Sequence, residues 1–586
     1  MDHSSVAPVT VDTGLVVDVA PPARKTKKPS RGGWSSAIFI IFVEVAERFA
    51  YYGLVGNLIT YLMKELGQPM AAAAQNVNIW VGVSSLFPVA GALVADSYLG
   101  RFRTILISSI IYFMGMILMT FSVSIVPRHN REAVFFMALY ILAIGEGGHK
   151  PCVQTFAADQ FDEDLPEEKM AKSSFFNWWY MGIVVGATAG IFFVIYIQDN
   201  VGWTEGALVL AAAVAIALAV FLMGSKRYRR QDPTGSPFAQ VAHVVVAAVK
   251  KRRLQEAGNG RDLCYVDTNA RDGAHKDGSR ARARSLARTS QLRFLEKAMI
   301  VDSIDQSSKA RDPWRLCSLN QVEEVKLVFR LVPIWLACIM FAVVQSQGHT
   351  FFVKQGGTMN RSIGGSHFQI PAASLQGFLG LTILAATLAY DRLFVPVARR
   401  ITGHPSGIPM LHRIGIGLFV SIINMAVSGC IEAWRVRTAV EHGLRDNPKA
   451  IVPISVWWLL PPYMLCGISD AFTIVGLQEL FYDQVPEAMR SMGAAAYISV
   501  VGVGSFVSSG IIAIVQAITA GNGDKWLGDN LNTAHLDRYY WVLAGLSAIN
   551  LCIYLLIARG FEYKKLEDDD EMIQLGEKQI SVKDDV

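Results

Sequence analysis

The feature that most constrains this chain is a series of long apolar blocks without charged side chains. The segment Ile105–Val126, for example, holds 22 residues and no charge. A helix rises 1.5 Å per residue, so about 20 such residues cross the ~30 Å hydrocarbon core of a bilayer. The 586-residue chain is 52% apolar and only 18% charged, whereas soluble domains are roughly 25% charged. The sequence therefore predicts a polytopic membrane protein.

About twelve such blocks follow one another along the chain. Their predicted bounds are 35–63, 75–95, 104–126, 133–153, 174–197, 204–224, 327–348, 369–390, 408–430, 452–481, 492–518 and 539–558. Transmembrane β-strands are only ~9–11 residues long and alternate in polarity. These blocks are longer and do not alternate. We therefore expect an all-α membrane protein with about twelve transmembrane helices.

A long basic break separates the sixth block from the seventh, which predicts two six-helix bundles joined by a linker. The predicted units are a cytoplasmic N-tail 1–33, an N-terminal bundle 34–224, a linker 225–325, a C-terminal bundle 326–560 and an acidic cytoplasmic C-tail 561–586. Positive charge is retained on the cytoplasmic side of a membrane. The basic linker and N-tail are therefore expected to be cytoplasmic. The segment Glu432–Lys449 does not fit this orientation well, because it is predicted to lie outside the cytoplasm and yet carries several basic residues.

Other segments have simpler interpretations. Phe238–Arg253 combines an apolar body with a basic end, which is typical of a helix on the inner membrane surface or of a cytosolic amphipathic helix. The seven cysteines are scattered without CxxC spacing, so we interpret them as small buried hydrophobic residues. We expect no metal and no cofactor. No secretory signal peptide is predicted before the first block.

The first block contains Glu44, Glu47 and Arg48 within five positions. Each ionised side chain at the bilayer centre costs about 2.5–3.5 kcal/mol, so these residues must pair, face the bundle interior or line water. Residues three or four apart share a helix face. Two acids against one arginine leave a spare carboxylate that can load and release protons. The alternative is a permanent salt bridge that only holds helices together.

Two further charges are predicted at membrane depth. Lys150 lies in the fourth block, just before a helix-distorting Pro151, and a lone lysine there needs Glu44 or Glu47 as its partner. Glu479 lies in the tenth block, in the other half. Transporters bind solutes near the midplane between their halves, so these charges predict one central cavity. Asp470 is interpreted as a packing or hinge residue.

The segment Gly91–Thr104 forms another group of charges. Asp96 ends the second block, and Arg101 and Arg103 follow in a short turn. These charges predict a network that breaks when the halves rock, which makes them gating residues. The alternative is a simple positive-inside anchor.

At these residues the chain resembles the proton-coupled oligopeptide transporter family of the major facilitator superfamily, in particular its plant nitrate/peptide branch. The motifs that carry the resemblance are EVAERFAYYG (44–53), GALVADSYLGRFRT (91–104), GGHKPCVQTFAADQFDE (147–163), FFNWWYMG (175–182), RFLEKAMI (293–300), QVEEVKLVFRLVPIW (321–335) and LFYDQVPEAMRSMG (480–493). The resemblance covers about residues 34–560. It implies the major facilitator fold and proton symport by alternating access.

The resemblance also implies roles for single residues. Glu44, Glu47 and Arg48 would couple transport to protons, with Lys150 as their salt-bridge partner. The expected substrate contacts are Lys150, Glu479, Gln345, Tyr51 and Tyr52, although Glu479 could instead pair with another charge across the cavity. Thr104 matches a threonine whose phosphorylation tunes affinity in one nitrate-transporting branch, so a kinase acting on cytoplasmic loops is a candidate partner.

One departure bears on the substrate. In the pattern that dedicated nitrate transporters of this family resemble, a histidine stands in the seventh block. This chain has Gln345 at that position, and a glutamine side chain cannot carry the positive charge that would hold nitrate. His349 follows one turn later and is interpreted as a packing residue. Glu146 and His149 are unusual polar additions beside Lys150. They point beyond nitrate, to a peptide, a hormone or a glycosylated metabolite.

The resulting expectation is a secondary active, proton-coupled symporter for a small solute such as nitrate, a di- or tripeptide, a plant hormone or a glycosylated metabolite. The alternative is a membrane receptor of the same fold that signals through the basic loop. The sequence lacks GxSxG, HExxH and Gly-rich phosphate-loop motifs, so we expect neither an enzyme nor an ATP-driven pump. The expected partners are protons, the solute and the lipid bilayer of the plasma or vacuolar membrane, with no nucleic acid.

Overall fold

The computed structural model is an almost entirely helical protein. It describes residues 32–161, 166–230, 237–253, 289, 291–301, 305, 312–362, 369–402, 408–485, 490–521, 525–561 and 563. Residues 1–31 of the predicted N-tail, nearly all of the predicted C-tail and the linker residues 254–288 lie outside the described residues. The expected all-α class is confirmed, because the strands found among the described residues form a single two-stranded sheet.

The N-terminal half consists of six spans that pack on one another. Helix α1 packs against α5 and α7, while α4 packs against α2 and α3. The bounds are α1 Trp34–Lys64, α2 Met70–Val94 with a π-turn Ala95–Leu99, α3 Arg101–Ser124, α4 Arg128–Ala158, α5 Pro166–Ala189 continued by a π-turn Gly190–Val194 into α6 Ile195–Asn200, and α7 Trp203–Gly224.

The linker and the C-terminal half follow. The linker contributes α8 Pro237–Lys250 and a 3-10 turn Arg293–Met299. The next six spans are α9 Leu319–Ala337 with α10 Ile339–Gln345, α12 Gly377–Ala389 with a π-turn Tyr390–Phe394 and α13 Val395–Thr402, α14 Met410–Glu441, α15 Leu460–Gln484, α16 Arg490–Gly521 and α17 Leu536–Arg559. Short connections add α11 Phe351–Gly357, 3-10 turns Ala372–Gln376 and Val456–Leu459, and strands β1 Met359–Asn360 and β2 Val452–Ser455, which pair in parallel.

Two long helices differ from the other spans in their charge. Within the described residues, nine helices are long and apolar enough to cross a membrane, or ten if α9 and α10, bent by 41°, form one span. Helices α1 and α4, with 31 residues each, complete the predicted set of twelve. They fall outside the apolar set because they carry the buried acids and bases of the first and fourth blocks.

Local sequence chemistry explains several helix starts. Proline has a fixed φ and lacks an N–H donor, so it suits the entrance to a helix. Pro69, Pro127 and Pro409 directly precede α2, α4 and α14. Helix α9 begins with a capping box: the Ser318 hydroxyl accepts from the Gln321 N–H, and the Gln321 side chain accepts from the Ser318 N–H at 3.0 Å. This places the start of α9 a few residues before the predicted boundary at 326.

Helices α2 and α4 approach each other at backbone distance. A Cβ atom on Gly91 would overlap the carbonyl group of Gly147, so only glycine fits at that position of α2. Helix α4 continues through Pro151 to Ala158, and a distortion of the helix at this proline stays a prediction. The two helices therefore form one closely packed unit.

The linker helix α8 was predicted to lie on the membrane surface or in the cytosol. Its residues Val244 and Ala247 are fully buried against the turn Arg293–Met299 and the start of α9. Lys326 of α9 is buried as well, and its ammonium group pairs with Glu296 and Glu323 at 2.8 Å each. One face of α8 is thus covered by protein, which favours the cytosolic amphipathic helix over a helix on the membrane surface.

Helix α14 extends farther than predicted. Its block was expected to end at 430, but the helix continues to Glu441. Arg435 and Glu432 are fully buried and pair at 2.7 Å, and Arg435 also donates to Asn532 Oδ1 and the Leu531 carbonyl. Arg435 is therefore an interior residue, and counting it among loop charges was wrong.

The two halves meet along a seam in which α2 packs on α16 and α5 packs on α12. We call the end near α8 the linker end and the opposite one the far end. Hydrogen bonds join the halves toward the far end: Gln376 donates to the Gly56 carbonyl at 2.7 Å, and Gln75 donates to Gln516 at 3.0 Å. The Met70 N–H donates to Asp529 at 2.7 Å. The far end is closed in this conformation.

The buried pair in α14 yields a stability prediction. Replacing Arg435 by Met leaves the Glu432 carboxylate buried without its counter-charge, and breaking such a pair costs about 3–5 kcal/mol. We expect R435M to lower the thermal unfolding temperature of the purified protein, monitored by tryptophan fluorescence. R437M, at an exposed position of the same helix, is the control. Unfolding of R435M together with the wild type would contradict the prediction.

Candidate functional site

The three charges of α1 form one buried group, as their spacing predicts. Arg48 Nε donates to Glu44 Oε1 at 2.7 Å and lies 3.3 Å from Glu47 Oε2. Glu44 and Glu47 are only 2% and 4% exposed, and the Arg48 side chain is 18% exposed. One guanidinium therefore serves two carboxylates.

Lys150 has a different partner from the one predicted. Its Nζ lies 2.9 Å from Oε2 of Glu146, one turn earlier in α4, and not against Glu44 or Glu47. The same Glu146 oxygen accepts from Ser84 Oγ of α2 at 2.6 Å. The sequence expectation was wrong because it sought the partner on another helix, although an acid stood at the favourable i, i+4 spacing.

His149 completes the group. Its ring and the carboxylates of Glu44 and Glu47 each offer an atom, and these three atoms lie within 4.8 Å of one another. His149 is 5% exposed, and its Nδ1 and both Glu47 oxygens have no hydrogen-bond partner within the described part of the chain. Buried polar groups without a partner are rare and costly. Glu47 and His149 thus bring polar atoms without hydrogen-bond partners to the same part of the interior.

We call Glu44, Glu47, Arg48, Glu146, His149 and Lys150 the acid–base cluster. If its carboxylates and basic side chains are all ionised and His149 is neutral, three negative charges face two positive ones. An uncompensated charge is costly in a low-dielectric interior, so one added proton would make the cluster neutral. Glu44, Glu47 and His149 could also ligate a metal ion, but Arg48 already occupies Glu44. A divalent cation would have to displace that guanidinium, whereas a proton would not.

Tyr51 and Tyr52, which follow Arg48 along α1, differ in how exposed their side chains are. Tyr51 is buried and stacks on Trp80 with ring centroids 5.8 Å apart, while Lys150 Nζ lies 3.8 Å above the Tyr51 ring. Tyr52 meets Tyr51 edge to face at 5.3 Å and stays partly exposed. Tyr51 therefore positions Lys150, and Tyr52 is the more accessible of the two predicted substrate contacts.

The predicted residues of the C-terminal half lie in two places. Gln345 Nε2 donates to Asp470 Oδ1 at 3.0 Å and to the Cys466 carbonyl at 3.1 Å. Glu479 is 45% exposed toward the linker end and pairs with Arg413 at 3.2 Å. Asp470, predicted to be a packing residue, is thus the acid beside Gln345, whereas Glu479 belongs to a separate pair.

The predicted gating residues Asp96 and Arg101 form ion pairs within the N-terminal half. Arg101 lies 3.6 Å from Asp96 and bonds to Asp159 at the end of α4. These partners belong to the N-terminal half, and Arg103 is exposed. The contacts described here therefore join α2, α3 and α4, and a role between the halves stays a prediction.

Thr104, the predicted phosphorylation site, is 4% exposed. Its hydroxyl donates to the Gly100 carbonyl at 3.0 Å. A kinase could reach this hydroxyl only after α3 and α4 separate. Phosphorylation at Thr104 stays a prediction.

Sequence reasoning treated Glu146 and His149 only as a hint about the substrate, and it gave Arg413 no role. The spacing of Glu146 to Lys150 was an available signal for the first. The approach of His149 to Glu47 and of Arg413 to Glu479 depends on the packing of separate helices, which no local pattern encodes.

Comparisons with known proteins agree with this architecture. The model of the POT family (PTR2) matches residues 102–527. The chain is 55% identical to Protein NRT1/PTR FAMILY 5.4 of Arabidopsis thaliana, over 93% of this chain and 98% of that protein. It is 46% identical to Protein NRT1/PTR FAMILY 5.10 of the same plant, over 94% and 97%.

Solved structures share the fold. An auto-inhibited POT family peptide transporter superposes with a TM-score of 0.67 at 20% identity, over 90% of this chain and 97% of that one. The POT family transporter PepTSo gives 0.66 at 20% identity, over 89% and 97%. The predicted major facilitator architecture is therefore confirmed, and the protein is a multi-pass membrane transporter of small solutes. The chain belongs to the POT family, and its relatives include the plant NRT1/PTR proteins.

Proposed function

We propose that this transporter is a proton-coupled symporter that moves a small solute by alternating access. The solute is expected among nitrate, di- and tripeptides, plant hormones and glycosylated metabolites. The observation that carries the proposal is the charge imbalance of the acid–base cluster, whose three buried carboxylates face only two basic side chains. A purely structural ion network would gain nothing from an excess acid at membrane depth.

The added proton has a defined place in this proposal. Glu47 has two carboxylate oxygens without a hydrogen bond, and His149 Nδ1 also lacks one. A proton held by Glu47 or His149 supplies a hydrogen-bond donor between these two side chains, whose facing atoms are otherwise all acceptors. Arg48 then pairs with Glu44 alone, so loading the proton changes how the guanidinium is shared.

The coupling between proton movement and solute movement follows from the position of Arg48. Its side chain is 18% exposed, more than either of its carboxylate partners, so Arg48 is the part of the cluster nearest to a solute. When the proton leaves, both carboxylates compete for the guanidinium and draw it away from an anionic group of the solute. Proton release and solute release are therefore linked by one cation.

The direction of the fold in the membrane is part of the proposal. The basic linker favours the cytoplasmic side, which makes the far end the outer face. The hydrogen bonds toward the far end then describe an outward-closed state. Solute in this state would exchange with the cytoplasm.

The direct experiment measures proton-evoked currents in voltage-clamped cells that express the protein. Nitrate, dipeptides, plant hormones and glycosylated metabolites are applied at acidic and at neutral pH. A symporter that moves net positive charge gives an inward current that requires both the solute and acidic medium, whereas one proton moved with one monovalent anion gives uptake that depends on pH without a current. Solute uptake without current or pH dependence across the whole panel would contradict the proposal.

Removing the charge of Glu47 tests the proton site. We expect E47Q to abolish uptake against a gradient, because the remaining cluster is neutral without a proton, while exchange of labelled for unlabelled solute persists. E65Q, an exposed acid at the end of the same helix, is the matched control. Concentrative uptake by E47Q at the wild-type level would contradict the mechanism.

The charge count also predicts the behaviour of Glu146. E146Q leaves two carboxylates against two cations, so we expect the ratio of uptake at acidic to neutral pH to fall toward one. The double variant E146Q/K150Q removes one charge of each sign and is expected to regain the pH dependence. If single and double variants showed the same pH profile, charge balance would not be the cause.

A further inference from the structure

A second cluster of charges lies at the far end, on the seam between the halves. A cavity of 210 Å³ is lined there by Lys64 at the end of α1 and Asp199 of α6 from one half. The other half contributes Lys354 of α11, Arg361 and Lys449. Four cations thus converge on one space with a single carboxylate. No part of the proposed proton mechanism uses them.

The cations have few partners of their own. Within the described residues, none of the four forms a salt bridge, and the Asp199 carboxylate already accepts from Asn57 Nδ2 at 3.3 Å. Arg361 donates to Gln369 at 3.3 Å, but its Nε is buried without a hydrogen-bond partner. Buried donors of this kind need an acceptor. The lining therefore offers unpaired donors and excess positive charge.

The environment of Lys354 reflects the same excess of positive charge. Burial lowers the pKa of its ammonium group, and Asp529 opposes this, while Lys64 and Arg435 lower the pKa further. Lys64 and Lys354 stand on opposite halves, so their repulsion acts against closure of the far end. An anion between them would turn that repulsion into attraction to both halves.

We propose that this cavity binds a small oxyanion, and that the bound anion stabilises the closed far end. Lysine ammonium groups and an arginine fork are the usual protein ligands of carboxylates, nitrate and phosphate-type groups. Water occupies about 30 Å³ per molecule, so the 210 Å³ cavity has the volume of about seven waters. It therefore has room for a small oxyanion together with part of its hydration. The anion comes either from the medium or from an acidic group of the solute.

Binding is tested on the full-length protein in lipid nanodiscs with sulfate as the probe. We expect sodium sulfate to raise the unfolding temperature in a saturable manner relative to sodium chloride at equal ionic strength. In K354Q/K449Q the half-saturating concentration should rise roughly a hundredfold or more, because the variant loses two charge-assisted contacts and each is expected to contribute about tenfold or more. The single variant K449Q, at an exposed position, covers the case in which the double variant does not fold.

The matched control is K525Q/R445Q, which removes two exposed charges outside the cavity lining. This control should respond to sulfate like the wild type. Equal responses of the control and the cavity variants, or no saturable response at all, would overturn the site. A response to an acidic transported solute but not to sulfate, lost in the cavity variants, would support the site and assign it to the solute.

Closure is measured separately, by the disulfide-crosslinking rate of Q75C/Q516C, whose native side chains hydrogen-bond across the seam at 3.0 Å. Sulfate should increase this rate, and K354Q/K449Q in the same background should remove the increase. Sulfate binding without any change in crosslinking would overturn the proposed effect on closure. Both readouts are independent of proton coupling, so failure of the symport proposal would leave them interpretable.

Discussion

The structure depends on one constraint: a charge placed among apolar helices must find its counter-charge inside the protein. Helices α1 and α4 bring five ionisable carboxylate and basic groups to membrane depth, and the close contact of α2 with α4 at Gly91 brings Ser84 onto Glu146. Because the interior offers little water, each group is fixed by its neighbours rather than by solvent. On the proposed mechanism, the single excess carboxylate is the part of the cluster that takes up and releases a proton.

Much of the fold was predictable because the bilayer imposes a length on every span. All twelve predicted blocks correspond to helices, and the errors concern their ends. The extension of α14 was missed because Glu432 and Arg435 look like loop charges in the sequence. They are interior residues only because Asn532 and the Leu531 carbonyl, about a hundred positions later in the chain, accept the arginine. Hydropathy alone cannot contain that information.

The site was predictable where it depends on helix periodicity and not where it depends on packing. Glu44, Glu47 and Arg48 share a face by their spacing, and the structure joins them. The partner of Lys150 was assigned to α1, although Glu146 stood one turn away in α4. The pairing of Glu479 with Arg413 joins two helices, so no spacing rule could reveal it.

The arrangement of the acid–base cluster has a consequence for how such transporters can diversify. Every one of its six residues belongs to the N-terminal half, and their ion pairs close within that half. The Gln345–Asp470 pair of the opposite wall is equally self-contained. On the proposed mechanism, the driving ion is therefore determined by the N-terminal half, whereas the solute meets both Arg48 of that half and the opposite wall. A chimera that keeps residues 34–224 and exchanges the later helices would inherit its driving ion and its anion-binding arginine from one parent and the rest of its selectivity from the other.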